Sequence, residues 1–364
     1  MENKIEIIAF YLPQYHPTPH NDEWWGKGFT EWTNVAKAKP LFSGHYQPKI
    51  PADLGFYDLR LPEVREQQAE MAREAGVTGF CYYHYWFGDG HQELELPFNQ
   101  VLETRDPDFP FCLCWANETW SKKFWNKDGT IGKCTFLAEQ KYLGHNDNVL
   151  HFETMKKAFM DSRYIKVDGR LLFMIYRPLM FQGIEEFVAD WNELAKKAGL
   201  KGFYFVGYSL NVAKEYDAIK QKGFDAICSC HLGYGNQSKL KHCLRKAISV
   251  ITNTPRRFSY KRMIPQLLRT EDSLPDVFPT MVPNWDHTPR SGTGGYLYTG
   301  STPELFEIHA GQILSCVMEK PANSRICFLK SWNEWGEGNY MEPDLKYGKG
   351  YITALRKAVD SITI

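Results

Sequence analysis

Two glutamates three residues apart, Glu334 and Glu337, stand among indoles and an amide in the run Ser331-Trp332-Asn333-Glu334-Trp335-Gly336-Glu337-Gly338. Glycoside chemistry needs such a pair, one carboxyl to protonate a leaving oxygen and another to act as base or nucleophile. The run follows Ile326–Lys330, which is apolar enough to be a buried strand. Gly336 and Gly338 indicate that the strand has ended, and in turn or helical geometry residues i and i+3 share a side. Both acids can then face one sugar. Their separation, about 5 Å for direct attack or about 6.5–9.5 Å for attack through water, is not fixed by the sequence. Indoles such as Trp332 stack on sugar faces and exclude water, which raises the pKa of a nearby acid. Glu337, beside Trp335 and between glycines, is therefore expected to be the acid. Glu334, beside the Asn333 amide, is expected to stay ionised as the base.

Polar and aromatic clusters also follow other apolar runs. Tyr11 lies in the first run, with Gln14 and His16 just after it. His84 and Trp86 end the second, and Trp115, Asn117 and Glu118 close the third. Tyr176 ends a fourth run, His231 follows a later one, and Asn284, Trp285 and Asp286 follow the last but one. All are candidates for binding sugar hydroxyls or faces. Trp24, Trp32, Trp86, Trp115 and Trp285 are expected to line sugar subsites, and Glu118 either contacts substrate or anchors a neighbouring loop. His16, His84 and His231 are also of metal-ligand type, but no local H-x-x-x-H pair accompanies them, so neither a metal nor another cofactor is expected.

The elements that must position these groups alternate. Strand candidates are Ile5–Leu12, Val77–Trp86, Pro110–Trp115, Arg170–Tyr176, Gly202–Tyr208, Phe224–Cys230, Val277–Val282 and Arg325–Lys330. Helical patterns fall between them, among them Leu61–Ala75, with Pro62 at its start and Gly76 at its stop, and Ile184–Ala198. This predicts an α/β chain forming a single (β/α)8 TIM barrel over residues 1–364, with long loops after strands 1, 3 and 6. The segments to about Asp58 and from Ser121 to Leu143 read as irregular, and Gly233 to about Arg269 reads as a long excursion. The chemistry-bearing clusters follow the strands, at the end where barrel enzymes build their sites. A doubly wound sheet would need a Gly-rich turn after its first strand, and none is present.

Composition agrees with an aromatic cleft. Rings make up 15% of the 364 residues, with 11 Trp, 20 Tyr and 23 Phe. Lys plus Arg and Asp plus Glu are 43 each, so charge gives no reason to expect nucleic acid. Nine cysteines follow no framework spacing, and the Cys112/Cys114 and Cys228/Cys230 pairs sit in strand-like runs, so buried reduced thiols are expected. No apolar run is long enough to span a bilayer and no secretory leader is apparent, so a cytoplasmic location is expected. A basic stretch between Lys239 and Arg262 is either a solvated face or a contact for phosphate or anionic lipid heads, which allows peripheral contact with a lipid-linked glycan. Serine-hydrolase and P-loop motifs are absent from the sequence.

Together AFYLPQYHP, the WW-G-GFTEW block, GFCYYHYWF, WANETW and SWNEWGEG resemble the WbsX family of glycan-assembly proteins, itself similar to the family 99 glycoside hydrolases, the endo-α-mannosidases. The resemblance runs from Ala9 to about Tyr351. It implies a (β/α)8 barrel acting on an oligosaccharide or polysaccharide, such as a bacterial surface polysaccharide or its precursor. Glu334 and Glu337 match the two acids of the hydrolases' E-W-H-E motif. The resemblance implies that Glu334 deprotonates a sugar 2-hydroxyl, which displaces the leaving group through a 1,2-anhydro sugar. Glu337 would then act as acid and afterwards as base, with retention of configuration. Gly336 stands where that motif has His, which removes a sugar contact. Glycosyltransfer in O-antigen or capsule assembly is the alternative activity, and carbohydrate binding without catalysis is the alternative class.

Overall fold

The computed structural model of the chain describes residues 5–125, 131–232 and 239–363. Eight strands form its centre: β1 (Glu6–Tyr11), β2 (Gly79–Trp86), β3 (Phe111–Trp115), β4 (Arg170–Ile175), β5 (Phe203–Ser209), β6 (Ala226–Ser229), β7 (Val277–Met281) and β8 (Ile326–Leu329). Each pairs in parallel with the next, and β1 pairs with both β2 and β8, so the sheet closes into a (β/α)8 barrel. The strands read as continuous apolar runs because both of their faces are buried, one in the barrel and one under helices.

Helices follow the strands: α1 (Pro62–Ala75), α2 (Leu96–Thr104), α3 (His145–Phe159), α4 (Ile184–Lys197), α5 (Val212–Gln221), α6 (Lys239–Thr252), α7 (Pro303–Met318) and α8 (Gly350–Thr363). Their ends obey local chemistry. Pro62 starts α1 and Gly76 stops it in the left-handed region, while the Thr302 hydroxyl caps α7 by accepting from the Leu305 amide. Between β6 and β7 the place against the barrel is taken by short 3₁₀ turns, Ile264–Gln266 and Thr270–Ser273, and α6 lies outside it.

The barrel interior is aromatic and thiol-rich. Phe10 stacks on Tyr83 at 5.5 Å and on Phe328 at 5.4 Å. Cys81 lies beside Cys112 and Cys114, and Cys228 Sγ is 3.4 Å from the Thr280 hydroxyl. Cys112, Cys114, Cys228 and Cys230 are free and buried, as expected of small hydrophobic thiols.

Three segments expected as long loops carry structure. The loop after β1 holds helices Pro19–Trp25 and Glu31–Lys37. The insertion after β3 contains a hairpin, Trp120–Trp125 against Ile131–Ala138. The excursion after β6 contains α6 and a strand, Arg256–Ser259, paired in parallel with Tyr296–Thr299.

Candidate active site

Beyond β8 the chain makes a tight hairpin. Asn333–Glu334 pairs antiparallel with Asn339–Tyr340, and a 3₁₀ turn over Trp335–Glu337 joins them. Gly338 closes the turn at φ 65°, and a Cβ there would meet Lys49 Nζ at 2.5 Å and Asp286 Cβ at 2.7 Å. Conformation and space both require glycine. The Ser331 hydroxyl accepts from the Glu334 amide at 3.0 Å and donates to the Asn339 carbonyl at 2.7 Å. The Asn333 side chain turns away from its acidic neighbour: Oδ1 accepts from the Leu12 amide at 2.8 Å and Nδ2 donates to the Leu12 carbonyl at 3.0 Å. Glu334 and Glu337 then share one wall of a cleft of about 700 Å³, which the ends of the strands and the loops after them enclose.

One guanidinium organises the pair. Arg290 Nη1 lies 2.6 Å from Glu337 Oε1 and 3.6 Å from Glu334 Oε1. The two carboxyls are also close enough to hydrogen-bond each other, nearer the about 5 Å spacing of direct attack than the about 6.5–9.5 Å that admits an attacking water. Arg290 Nε reaches Glu31 Oε1 at 2.8 Å. Lys330 Nζ, buried at the end of β8, donates to the Tyr83 hydroxyl at 2.9 Å and lies 3.4 Å from Glu334 Oε2. His287 Nε2 is 3.5 Å from Glu337 Oε1.

These contacts separate the two acids. Burial, then the neighbouring Glu337 carboxylate, push Glu334 up to about 7 against the pull of Lys330 and Arg290. Burial also opposes ionisation of Glu337, but Arg290, His287 and Lys330 outweigh it and hold that carboxyl well below its usual range. This order is the reverse of the expected one, for two reasons. The Asn333 amide serves the Leu12 backbone and not Glu334, and the Trp335 indole lies away from the cleft, stacked on Tyr340 at 3.7 Å. Trp335 Nε1 donates to Glu342 at 2.6 Å, and burial pushes that carboxyl up to about 7 although Trp335, Gln68 and Tyr57 all donate to it.

Among the other anticipated residues, Gln14, Glu118 and Tyr176 line the cleft. Glu118 is 2.7 Å from Arg177 Nε. The five tryptophans expected at subsites do not line it. Trp86 is stacked on His151, Trp115 donates to the Trp86 carbonyl, and Trp32 donates to the Tyr57 carbonyl. Trp285 stacks on Tyr296, Trp24 stacks on His20, and Trp332 is fully buried. Tyr11 donates to Gln68, and Asn117 pins the loop after β4 by accepting from the Arg177 amide. Asn284 and Asp286 border a smaller cavity of about 100 Å³ behind the turn, where Asp286 accepts from His45 and Gln47.

The three strand-end histidines do not meet. His16 bonds the Pro13 carbonyl, His231 bonds Asp272, and burial pushes His84, against His151, down to about 3. Among the described residues the group with metal-ligating geometry is a different one at the rim, His20, His91 and Glu93, whose ligand atoms lie within 4.8 Å of one another.

Strand parity explains why these residues lie off the cleft. In β2 the residues facing the barrel are Tyr83 and Tyr85, which line the cleft, while His84 and Trp86 face α3. Tyr11 faces α1 and Trp115 faces α4 in the same way. Cleft walls not expected from the sequence include Tyr83, Tyr85, Trp25, Trp120, Arg290 and Lys330. Alternation along GFCYYHYW was the one available signal, and it is masked because both faces of the strand are aromatic.

The sequence from residue 7 to 355 matches the family model described as Glycosyltransferase WbsX. WxcX, an uncharacterized protein of Xanthomonas campestris pv. campestris strain B100, is 33% identical over 358 residues, 97% of this chain. The same protein from strain ATCC 33913 matches equally, at 33% identity. This chain spans about half the length of these relatives, 49%. Its fold is similar to that of the GH99 endo-alpha-mannosidase from Bacteroides thetaiotaomicron, at TM-score 0.58 and 14% identity, covering 98% of this chain and 97% of that one. A structure described as a glycoside hydrolase-like protein is similar at TM-score 0.55 and 14% identity, over 99% and 94% of the two chains. The chain belongs to the WbsX glycosyltransferase family.

Proposed function

We propose that this protein is a retaining glycan-active enzyme, acting on a bacterial surface polysaccharide or its precursor, with Glu334 and Glu337 as its two reacting groups. The observation that carries the reading is the pair: two carboxyls at one guanidinium nitrogen, opening on an aromatic cleft. Their short spacing favours retention over inversion. The pair holds one proton near neutral pH, and its surroundings favour Glu334 as the holder. Glu334 then protonates the leaving oxygen. Glu337 takes the proton of the sugar 2-hydroxyl, whose oxygen attacks C1 and gives a 1,2-anhydro sugar. Opening of that ring by water is hydrolysis, and opening by a sugar hydroxyl is transfer.

The match to the E-W-H-E motif favours a second assignment, with Glu334 as base and Glu337 as acid. A substrate with an activated leaving group, which needs no protonation, separates the two. It restores turnover to Glu334→Gln under the first assignment and to Glu337→Gln under the second.

A glycan donor fits the cleft better than a nucleotide sugar. A diphosphate needs unpaired positive charge, and among the described residues the cations that line the cleft are matched, Arg290 by three carboxylates and Lys330 by Glu334, as is Arg177 by the cleft-lining Glu118. Incubation with mannan-type oligosaccharides and, separately, with UDP-, GDP- and dTDP-sugars plus acceptor tests this. Sugar release or exchange from the oligosaccharides supports the proposal. Nucleotide release assigns a nucleotide-sugar transferase, and binding without turnover assigns a lectin.

A further inference from the structure

Helix α6 is amphipathic but faces the wrong way for a helix that belongs to a core. Leu244, Ile248 and Ile251, spaced i, i+4 and i+7, form one stripe, and they are 60%, 48% and 81% exposed. Val250 beside them is 73% exposed. The polar side is the one that touches protein. Arg245 lies over the Phe258 ring at 4.7 Å and donates to the Arg257 carbonyl at 2.9 Å, and the Ser249 hydroxyl donates to the Thr254 carbonyl at 2.6 Å. An outward apolar stripe of this kind marks an interaction surface.

Charge says what covers it. From Gly233 to Thr270 the sequence has no Asp or Glu but has Lys239, Lys241, Arg245, Lys246, Arg256, Arg257, Lys261, Arg262 and Arg269. The chain as a whole balances 43 basic against 43 acidic residues, so this segment concentrates positive charge in an otherwise neutral protein. Arg245, Lys246, Arg257, Lys261 and Arg262 are exposed, and the first two stand on α6 itself. They do not close on a phosphate-sized cradle, since Arg245 and Arg257 lie on the separate rings of Phe258 and Phe42.

We infer that α6 is an interfacial helix that docks the protein on an anionic lipid surface. Its apolar stripe would enter the boundary between headgroups and acyl chains while the flanking cations meet the anionic headgroups. A second copy of the chain is the poorer occupant, because a two-fold contact through α6 would set the same basic segment against itself. The connection carrying α6 leaves the C-terminal end of β6, and its strand Arg256–Ser259 pairs with Tyr296–Thr299 from the connection after β7.

Co-sedimentation with phosphatidylcholine vesicles containing roughly 30% phosphatidylglycerol, against pure phosphatidylcholine, tests this. The full chain should bind the anionic vesicles at least about tenfold more strongly, and added NaCl should release it. Ile248→Ser/Ile251→Ser and Lys246→Glu/Arg262→Glu change exposed side chains, so circular dichroism and melting should be unaltered. Each should lower partitioning about tenfold. Failure of the unmodified chain to sediment above background overturns the inference, as does unchanged binding by both variants. Light scattering that shows a dimer, split by Ile248→Ser/Ile251→Ser, also overturns it and assigns the stripe to self-association.

Discussion

At position 336 a side chain is excluded by a carboxylate. An ideal Cβ would lie 1.6 Å from Glu31 Oε1, and Glu31 is buried there because it holds Arg290. The glycine thus makes room for the acid that presents the guanidinium to Glu337. Gly336→Ala should displace Glu31, release Arg290 and cost about 1–3 kcal/mol of stability, as overpacking does. The double variant Gly336→Ala/Glu31→Ala should cost less than its two single changes added together, because the second removes the clash created by the first. Urea denaturation of the three proteins checks this, and strict additivity contradicts it. The contact also explains why Arg290 escaped sequence reasoning: Glu31 lies 259 positions away from it, and only barrel closure unites them.

The acid-bearing turn is fixed to the barrel by one side chain. Both polar atoms of the Asn333 amide bond the Leu12 backbone, joining the extension of β8 to that of β1. Asn333→Ala would leave a buried amide and a buried carbonyl without partners, at about 1–3 kcal/mol each. Denaturant midpoints should fall accordingly, and kcat should fall with KM little changed as the acids lose their fixed positions. Strands and their order were legible because each is a short apolar run followed by a polar cluster, and the match is within about two residues at most ends. Parity was not legible. His84 and Trp86 looked as suited to a sugar as Tyr83 and Tyr85, and with both faces buried no polar residue marks which points inward. The hairpin from Trp120 was missed because Ser121, Lys122 and Lys123 interrupt any apolar alternation.

For the whole molecule, stability should carry the signature of its buried acids. Glu334 and Glu342 are both raised to about 7, so between the ordinary glutamate range and pH 7 the native chain holds protons that the unfolded chain has released. Stability from these groups is fully present below about pH 4 and is lost as pH rises to about 7. Glu337 runs the other way: its pKa is depressed, so its contribution is present above the ordinary carboxylate range and lost as pH falls toward its native value. Burial holds His84, His151 and His309 neutral, which works in the opposite sense over this range, so the test by urea denaturation is a difference: the stability of the unmodified chain relative to Glu342→Gln should fall as pH rises from 4 to 7, by on the order of 3 kcal/mol at most. A difference between the two proteins that does not change with pH contradicts the buried-acid assignment. The decisive measurement concerns Glu334 and Glu337 acting together on a glycosidic bond. Proton NMR of the first-formed product, with the unmodified protein and each Gln variant on one oligosaccharide, reads both configuration and rate. The predicted result is retained configuration, with turnover about 10²–10⁴-fold slower in Glu334→Gln and Glu337→Gln while binding persists. Inverted product, or turnover in both variants equal to that of the unmodified protein, would contradict it.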